Sequence, residues 1–345
     1  MQRALPDVAH ALATDAGGFT LWIGAGASIA LTDGATPSWA GLVRDVAASH
    51  AVKGPEFSGN FPSDLEQLSQ SISHGVFRSE LRRRLVEPMT ASVSLDNAVC
   101  QALIGARAST IVSFNLEFFS AFPLVSMKCG SNFVARTFRE RSVYSLDIAP
   151  NAGGGVMSAP IYFPHGLLDY GSIVMTKSEY DLHQGSLAVT TAVHLAIGGD
   201  LVILGMSLGD VYLRDAILQN RRWIRNIYWL AEHFDHLEWA RVANVTLVTA
   251  PNASVWTSLS DAVLANDNSG KMAGWIPKLR DQLPATYNEM KQWSENTKTA
   301  LRDFGCKLVS SAEASAEHVT LFASHCVDIG IEVPAEVLAD TRCML

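Results

Sequence analysis

A chain of 345 residues, 48% of them hydrophobic, can bury one large domain plus an appendage, or two domains. Its net charge of −8 and the shortness of its basic cluster, Arg82-Arg83-Arg84, argue against a dedicated nucleic-acid surface; the cluster reads as a solvated helix face or a subunit contact. No apolar run is long enough to span a bilayer, the N-terminus lacks a signal-peptide profile, and the cysteines at 100, 129, 306, 326 and 343 are scattered, so a cytoplasmic address is expected, with neither a disulfide framework nor a C-x-x-C zinc site.

Residues 5–15 carry the spacing of a short amphipathic helix that leads into Phe19-Thr-Leu-Trp-Ile23, a β-branched and aromatic run that predicts a buried strand. The run ends in Gly24-Ala-Gly-Ala-Ser28. Without a Cβ, Gly24 and Gly26 allow positive φ and let a ligand approach main-chain N–H groups, so a turn suited to an anion is expected here. The full G-x-G-x-x-G fingerprint is absent, because position 29 is Ile. Ser38 is placed to cap a helix in which Leu42, Val43 and Val46 form the packed face. Residues of about 50–107 read as a helical insertion between the first and second strands. Their apolar positions at 65, 68 and 72, and again at 99, 103 and 104, follow helical spacing.

The second strand is predicted over 109–114, ending at Asn115. A further strand near 143–146 precedes a flexible loop at 151–155, and Ile161-Tyr-Phe163 reads as a short strand ending in Pro164-His165-Gly166. A helix is expected over 178–197, then a buried strand at Asp200-Leu-Val-Ile-Leu204, the loop Gly205-Met-Ser-Leu-Gly-Asp210, a helix over 211–220, and strands near 226–230 and 244–249. This alternation predicts an α/β fold with a doubly wound, mostly parallel, Rossmann-like sheet over residues 1–265. Beyond the linker-like run 266–270, the periodicity over 285–304 and 311–329 predicts a helical C-terminal appendage, 266–345, for oligomerisation or regulation.

Asn115, His165, Ser207 and Asp210 thus follow predicted strand ends, where open parallel sheets bind ligands. With the glycine loop, they resemble in order the motifs of the sirtuin-like (silent information regulator 2-like) family. The family has a Gly-Ala-Gly-x-Ser loop (Gly24 to Ser28), a strand ending in Asn followed by an apolar and an acidic residue (Asn115-Leu116-Glu117), a His-Gly pair (His165-Gly166) and Gly-x-Ser-Leu (Gly205 to Leu208). Pro37 to Leu42, and Asp210 with Arg214, are similar to the stand-alone bacterial anti-phage branch. The resemblance covers roughly 19–250. The paired C-x-x-C zinc ligands and the Pro-Asp-Phe-Arg stretch of the family's deacylases are missing, so no zinc is expected and acyl-lysine recognition is not implied.

The resemblance implies cleavage of the nicotinamide–ribose bond of NAD+, with NAD as substrate and depletion of NAD in abortive infection as the outcome. Nicotinamide leaves neutral, so the site must stabilise an oxocarbenium-like sugar and place a water beneath it. Asn115, donor and acceptor together, suits holding a water and a ribose hydroxyl, and His165 suits accepting a proton. Gly24, Ala25, Gly26 and Ser28 are expected to cradle the diphosphate. Gly205, Ser207 and Asp210 are expected toward the adenosine half, and Glu117 near the nicotinamide amide. A homo-oligomer, and a separate partner such as a HerA-type ATPase, are implied as the means of keeping such an enzyme off; no membrane or direct nucleic-acid contact is expected.

Two other readings remain open on sequence. Gly205-Met-Ser207-Leu-Gly209 also satisfies the G-x-S-x-G nucleophile elbow, with Asp235 and His318 or His325 as partners. The same pocket also suits a non-catalytic NAD or ADP-ribose sensor or assembly subunit. His233 and His236 have a spacing open to a metal, but no further ligands accompany them, and they read as surface.

Overall fold

The computed structural model describes residues 5–14, 19–52, 58, 60–88, 98–99, 102, 108–117, 134–137, 144–147, 161–168, 173–182, 187–265, 299–311, 314–328 and 333–343. The first predicted strand forms β1 (Phe19–Ile23), buried at every residue. Successive side chains of a strand point to opposite faces, and both faces are covered here: Leu21 and Ile23 join one core cluster, Trp22 the other. Large apolar side chains buried this way each contribute about 1.5–3 kcal/mol, which is why such a strand reads as an unbroken apolar run. In β6 (Asp200–Leu204), Val202 and Leu204 face the first cluster, and Leu201 and Ile203 the second.

Strand β1 pairs in parallel with β6 on one side and with β2 (Thr110–Ser113) on the other. Outside β2 lie β5 (Ile161–Phe163), parallel, then β4 (Tyr144–Asp147) and β3 (Val134–Thr137), both antiparallel to their neighbours. Outside β6 lie β7 (Ile227–Ala231) and β8 (Thr246–Thr249), both parallel. The order β3-β4-β5-β2-β1-β6-β7-β8 makes a doubly wound, Rossmann-like sheet with a parallel centre, as the alternation of elements predicts. The antiparallel edge strand β3 has no counterpart among the sequence expectations. From β1 the chain passes to β2 and on to the edge strand β3, comes back through β4 to β5, and then crosses to β6 on the far side of β1. The topological switch point therefore lies between β1 and β6, and crevices for ligands open there, beyond the carboxyl ends of the strands.

Helices cover both faces. On the first cluster sit α1 (Leu5–Thr14), α2 (Ala25–Leu31) and α3 (Trp39–Ser49), whose cap is the predicted one: Ser38 Oγ accepts from Gly41 N at 3.1 Å. The insertion follows as α4 (Phe61–Ser71) and α5 (His74–Leu81), continued by a π-helical turn, Arg82–Val86. The basic cluster is not a uniformly solvated face. Arg82 is buried, and Arg84 pairs with Glu80 at 2.9 Å and reaches Ser49 Oγ at 2.6 Å, leaving Arg83 as its exposed member. Residues 103 and 104 lie outside the described residues. The expected 178–197 helix is two helices, α6 (Lys177–Leu182) and α7 (Leu187–His194), separated by positions outside the described residues.

The second cluster is covered by α7, α8 (Val211–Asn220) and α9 (Leu237–Val242), while α10 (Asn252–Ala265) returns to the first. The loop 151–155, the linker 266–270 and positions 285–298 lie outside the described residues. C-terminal to these, a helical stretch over 299–310, α11 (Ala316–Asp328) and α12 (Ala335–Leu338) close a small core of their own, with Val319, Ala323, Cys326 and Val337 buried. Among the described residues, no helix is long and apolar enough to cross a membrane.

Candidate functional site

At the switch point, the glycines act through close packing. Helix α2 begins at Ala25, directly after β1, with Gly24 as its N-cap at φ −126°, so neither Gly24 nor Gly26 takes the positive φ expected from the sequence. A Cβ on Gly26 would meet the Cα of Gly205 at 2.5 Å, and one on Gly24 would meet Met206 Cγ at 2.4 Å. The residue with positive φ is Gly205, at 61°. Two main-chain segments thus touch across the β1/β6 boundary, sealed by Gly24 N–H donating to Leu204 O (3.1 Å) and Gly26 N–H to Gly205 O (2.8 Å). Gly24 and Gly26 therefore bring backbone to backbone, and their N–H groups are spent inside the protein.

Above this seam lies a cavity of about 340 Å³, bordered by Gly24 to Gly26 on one side and Gly205 to Asp210 on the other. Its volume falls in the ordinary range for small-molecule sites, ~300–1,000 Å³. Its roof comes from the insertion: Phe61 covers Gly209 so closely that a Cβ there would meet the ring at 2.3 Å. Ser207 is exposed at this border, and its side chain has no hydrogen-bond partner among the described residues. Leu208 sits at φ 55°, held by the guanidinium of Arg214, which donates to its carbonyl. That Arg also bonds His236 Nε2 at 3.1 Å; burial first, then the Arg214 charge, pulls His236 below its ordinary pKa. His233 is exposed, and no cluster of three or more His, Cys, Asp or Glu positioned for a metal occurs among the described residues.

Asn115 and His165, at the ends of adjacent strands β2 and β5, are both buried but open on different spaces. Asn115 Nδ2 donates to Gly24 O at 3.2 Å, bracing the glycine turn from below. It borders a second cavity of only about 10 Å³, beside Ser28 and Glu117, which is space for one water. There Ser28 Oγ donates to Glu117 Oε1 at 2.6 Å, with both residues buried. Ser28 and Glu117, assigned from sequence to opposite ends of a dinucleotide, are therefore bonded to each other, and Ser28 lies behind the turn rather than on the larger cavity. Ala25 borders both spaces.

His165 borders the larger cavity. Its Nε2 lies 2.8 Å from Tyr180 Oη and 3.5 Å from Asp210 Oδ2, and Tyr180 Oη donates to the same Asp210 oxygen. The other oxygen of Asp210 caps α8, accepting from Tyr212 N (2.8 Å) and Leu213 N (3.3 Å). Asp210 thus serves the helix and the Tyr180–His165 pair while bordering the larger cavity.

Tyr180 went unnoticed in the sequence, although a signal for its helix was there. Thr176-Lys-Ser-Glu179 is a capping box: Thr176 Oγ1 accepts from Glu179 N (3.3 Å), and Glu179 Oε2 from Thr176 N (2.9 Å). The buried Arg78 of α5 pairs with Glu179 at 2.5 Å, and Glu66 of α4 accepts from Ser178 N (3.0 Å) and Oγ (2.7 Å). The insertion therefore holds α6, and with it Tyr180. Asn252, after β8, was also missed. It borders the cavity and ties α10 to the turn through Nδ2 to Gly26 O, 2.9 Å.

The fold and this crevice define a doubly wound α/β protein with a cavity of small-molecule size at its switch point. No family model matches the chain, and no curated protein matches it. Solved structures similar to it include one described as "Structural Basis for the Mechanism and Regulation of Sir2 Enzymes", 10% identical, with a TM-score of 0.40, covering 77% of this chain and 98% of that one. The doubly wound class rests on the strand order itself.

Proposed function

We propose that the chain is an NAD+ nucleosidase that releases nicotinamide and ADP-ribose and depletes the cytoplasmic NAD pool in anti-phage defence. The observation that carries this reading is the cavity of about 340 Å³ at the β1/β6 switch point, where the Gly24 to Gly26 turn, the Ser207 hydroxyl and the His165 ring border one space. The motif order in the sequence supplies the substrate.

In the proposed reaction the C1′–N bond of the nicotinamide riboside breaks, and nicotinamide leaves with the electron pair. Water adds its oxygen to C1′ and gives up a proton, which His165 accepts, directly or from a ribose hydroxyl. The N–H groups of Gly24 and Gly26 are already paired, and Ser207 offers a hydroxyl without a partner among the described residues to the dinucleotide. On the Asn115 side, a cavity of about 10 Å³ must widen for a pyridine ring to enter, with the Ser28–Glu117 bond the first contact to yield. A closed nicotinamide side fits an enzyme held off until assembly, the C-terminal helices or a partner such as a HerA-type ATPase changes it.

The serine-hydrolase reading is not favoured. Six residues separate β6 from α8, in place of a tight elbow, and His318 is bonded to Ser315 within the C-terminal helices. The test is nicotinamide release from NAD+ by the purified full chain, alone and with the proteins encoded beside its gene, against His165→Ala. Release by wild type and loss in the variant is the expected result. Tight NAD+ binding with no release under any condition would establish the sensor reading instead.

A further inference from the structure

His165 meets Tyr180 and Asp210 in a chain whose hydrogen-bond polarity is fixed from one end. Oδ1 of Asp210 accepts two main-chain N–H groups of α8, which turns Oδ2 toward Tyr180, and an ionised carboxylate offers only acceptors. Burial above all, then the Asp210 charge, holds the Tyr180 phenol protonated, well above its ordinary pKa. A phenol has one proton, and Tyr180 gives it to Asp210. What it presents to His165 Nε2, 2.8 Å away, is therefore a lone pair, so Nε2 must carry the ring proton. In the neutral ring this leaves Nδ1 bare. Nδ1 is buried and has no hydrogen-bond partner among the described residues, in a residue 8% exposed that borders the cavity. A buried polar atom without a partner is uncommon and calls for one from solvent or ligand.

We infer that Asp210 and Tyr180 are positioning residues that set the tautomer of His165, making Nδ1 the atom of the ring that can accept a proton. That this proton comes from the attacking water or a ribose hydroxyl rests on the nucleosidase reading; the tautomer does not. Tyr180 is fixed for the task by stacking on Tyr212 (ring centroids 4.4 Å apart) and by the capping box and Arg78 contact of α6. The chain has a consequence that a packing role lacks. In Asp210→Asn the amide oxygen still caps α8, but an N–H now points at Tyr180. The phenol then accepts from Asn and donates to Nε2, and the ring proton moves to Nδ1, turning the acceptor into a donor.

The experiment is ¹⁵N NMR of the imidazole nitrogens in histidine-labelled full-length chain, with the His165 signals identified by their loss in His165→Gln. Wild type is expected as the Nε2–H tautomer, Asp210→Asn as Nδ1–H, and Tyr180→Phe as a mixture. An Nδ1–H wild type, or a tautomer unchanged in both variants, overturns the inference; if Asp210→Asn does not fold, an unchanged Tyr180→Phe does so alone. In turnover, Asp210→Asn should lower kcat for NAD+ about 100-fold or more while KM stays within about threefold. Loss of turnover with Nε2–H retained would make both residues structural and overturn the proposal. The expected tautomers in a wild type that releases no nicotinamide would leave the relay standing and remove the nucleosidase reading.

Discussion

On the β2 side of the glycine turn, Asn115, Ser28 and Glu117 bond inward, to Gly24 O and to one another, around about 10 Å³ of space. On the β6 side, Ser207 and His165 Nδ1 are left without partners among the described residues, around about 340 Å³. The same turn forms both walls. The closed side is built as protein interior and gains stability from its hydrogen bonds, whereas the open side leaves buried or bordering polar atoms for something else to satisfy. Ligand chemistry is therefore expected to depend most on the open side, and folding most on the closed one.

The largest effect should come from His165→Ala, which removes the proton acceptor: nicotinamide release is expected to fall on the order of 1,000-fold, with thermal melting followed in parallel because the ring is buried. Asn115→Ala comes next, because it acts on both quantities. Turnover should fall about 100-fold if Asn115 orients water or ribose once the closed side opens. Loss of the bond to Gly24 O should cost about 1–2 kcal/mol in denaturant unfolding. A variant with the stability loss but full turnover would confine Asn115 to bracing the turn. Gly26→Ala tests the wall itself: its Cβ would meet Gly205 Cα at 2.5 Å, backbone against backbone, with no side chain to swing away. The expected cost is about 1–3 kcal/mol of stability, with weakened NAD+ binding in calorimetry. Ser28→Ala should cost about 1 kcal/mol and leave turnover within about threefold; a large kinetic loss would mean that Ser28 meets the substrate.

Much of this frame was legible in the sequence because β1 and β6 are buried on both faces and so read as nearly continuous apolar runs, with Asn115, His165 and Asp210 visible beside strand ends. Helix α2 was not, since a helix with Gly26 inside it contradicts the low helix propensity of glycine. What stabilises it is tertiary: the approach to Gly205 that only glycine permits. The positive φ expected at Gly24 and Gly26 was misplaced for the same reason, being taken up by Gly205 and Leu208 across the seam. Asp210 was legible beyond a strand end but not as a neighbour of Tyr180, because nothing along the chain relates position 180 to 165 and 210. The β5–α6 and β6–α8 connections bring them together, and periodicity says nothing of it.

The smallest expected effect concerns how the insertion holds the open side. Glu66 of α4 reaches α6, two residues before Tyr180, through Ser178 N and Oγ. Burial pushes the Glu66 carboxyl up, but the hydrogen bonds from Ser178, Thr176 and Gln70 outweigh it and hold the group below its ordinary value of 4.5. A carboxyl whose pKa is lowered by folding stabilises the native state above the unfolded value, and that contribution fades as pH falls through the lowered native value. The tie should therefore be intact at neutral pH and loosen only below about 4.5. Because Glu66 is partly solvated, the change in global stability should be slight. The sensitive readout is local: amide exchange at Ser178, corrected for the intrinsic pH dependence, should lose protection as the pH falls through that window, while amides in β1 and β6 keep theirs. Glu66→Ala should show the reduced Ser178 protection already at pH 7. Protection at Ser178 that is unchanged in the variant would mean that the capping box and Arg78 alone fix α6.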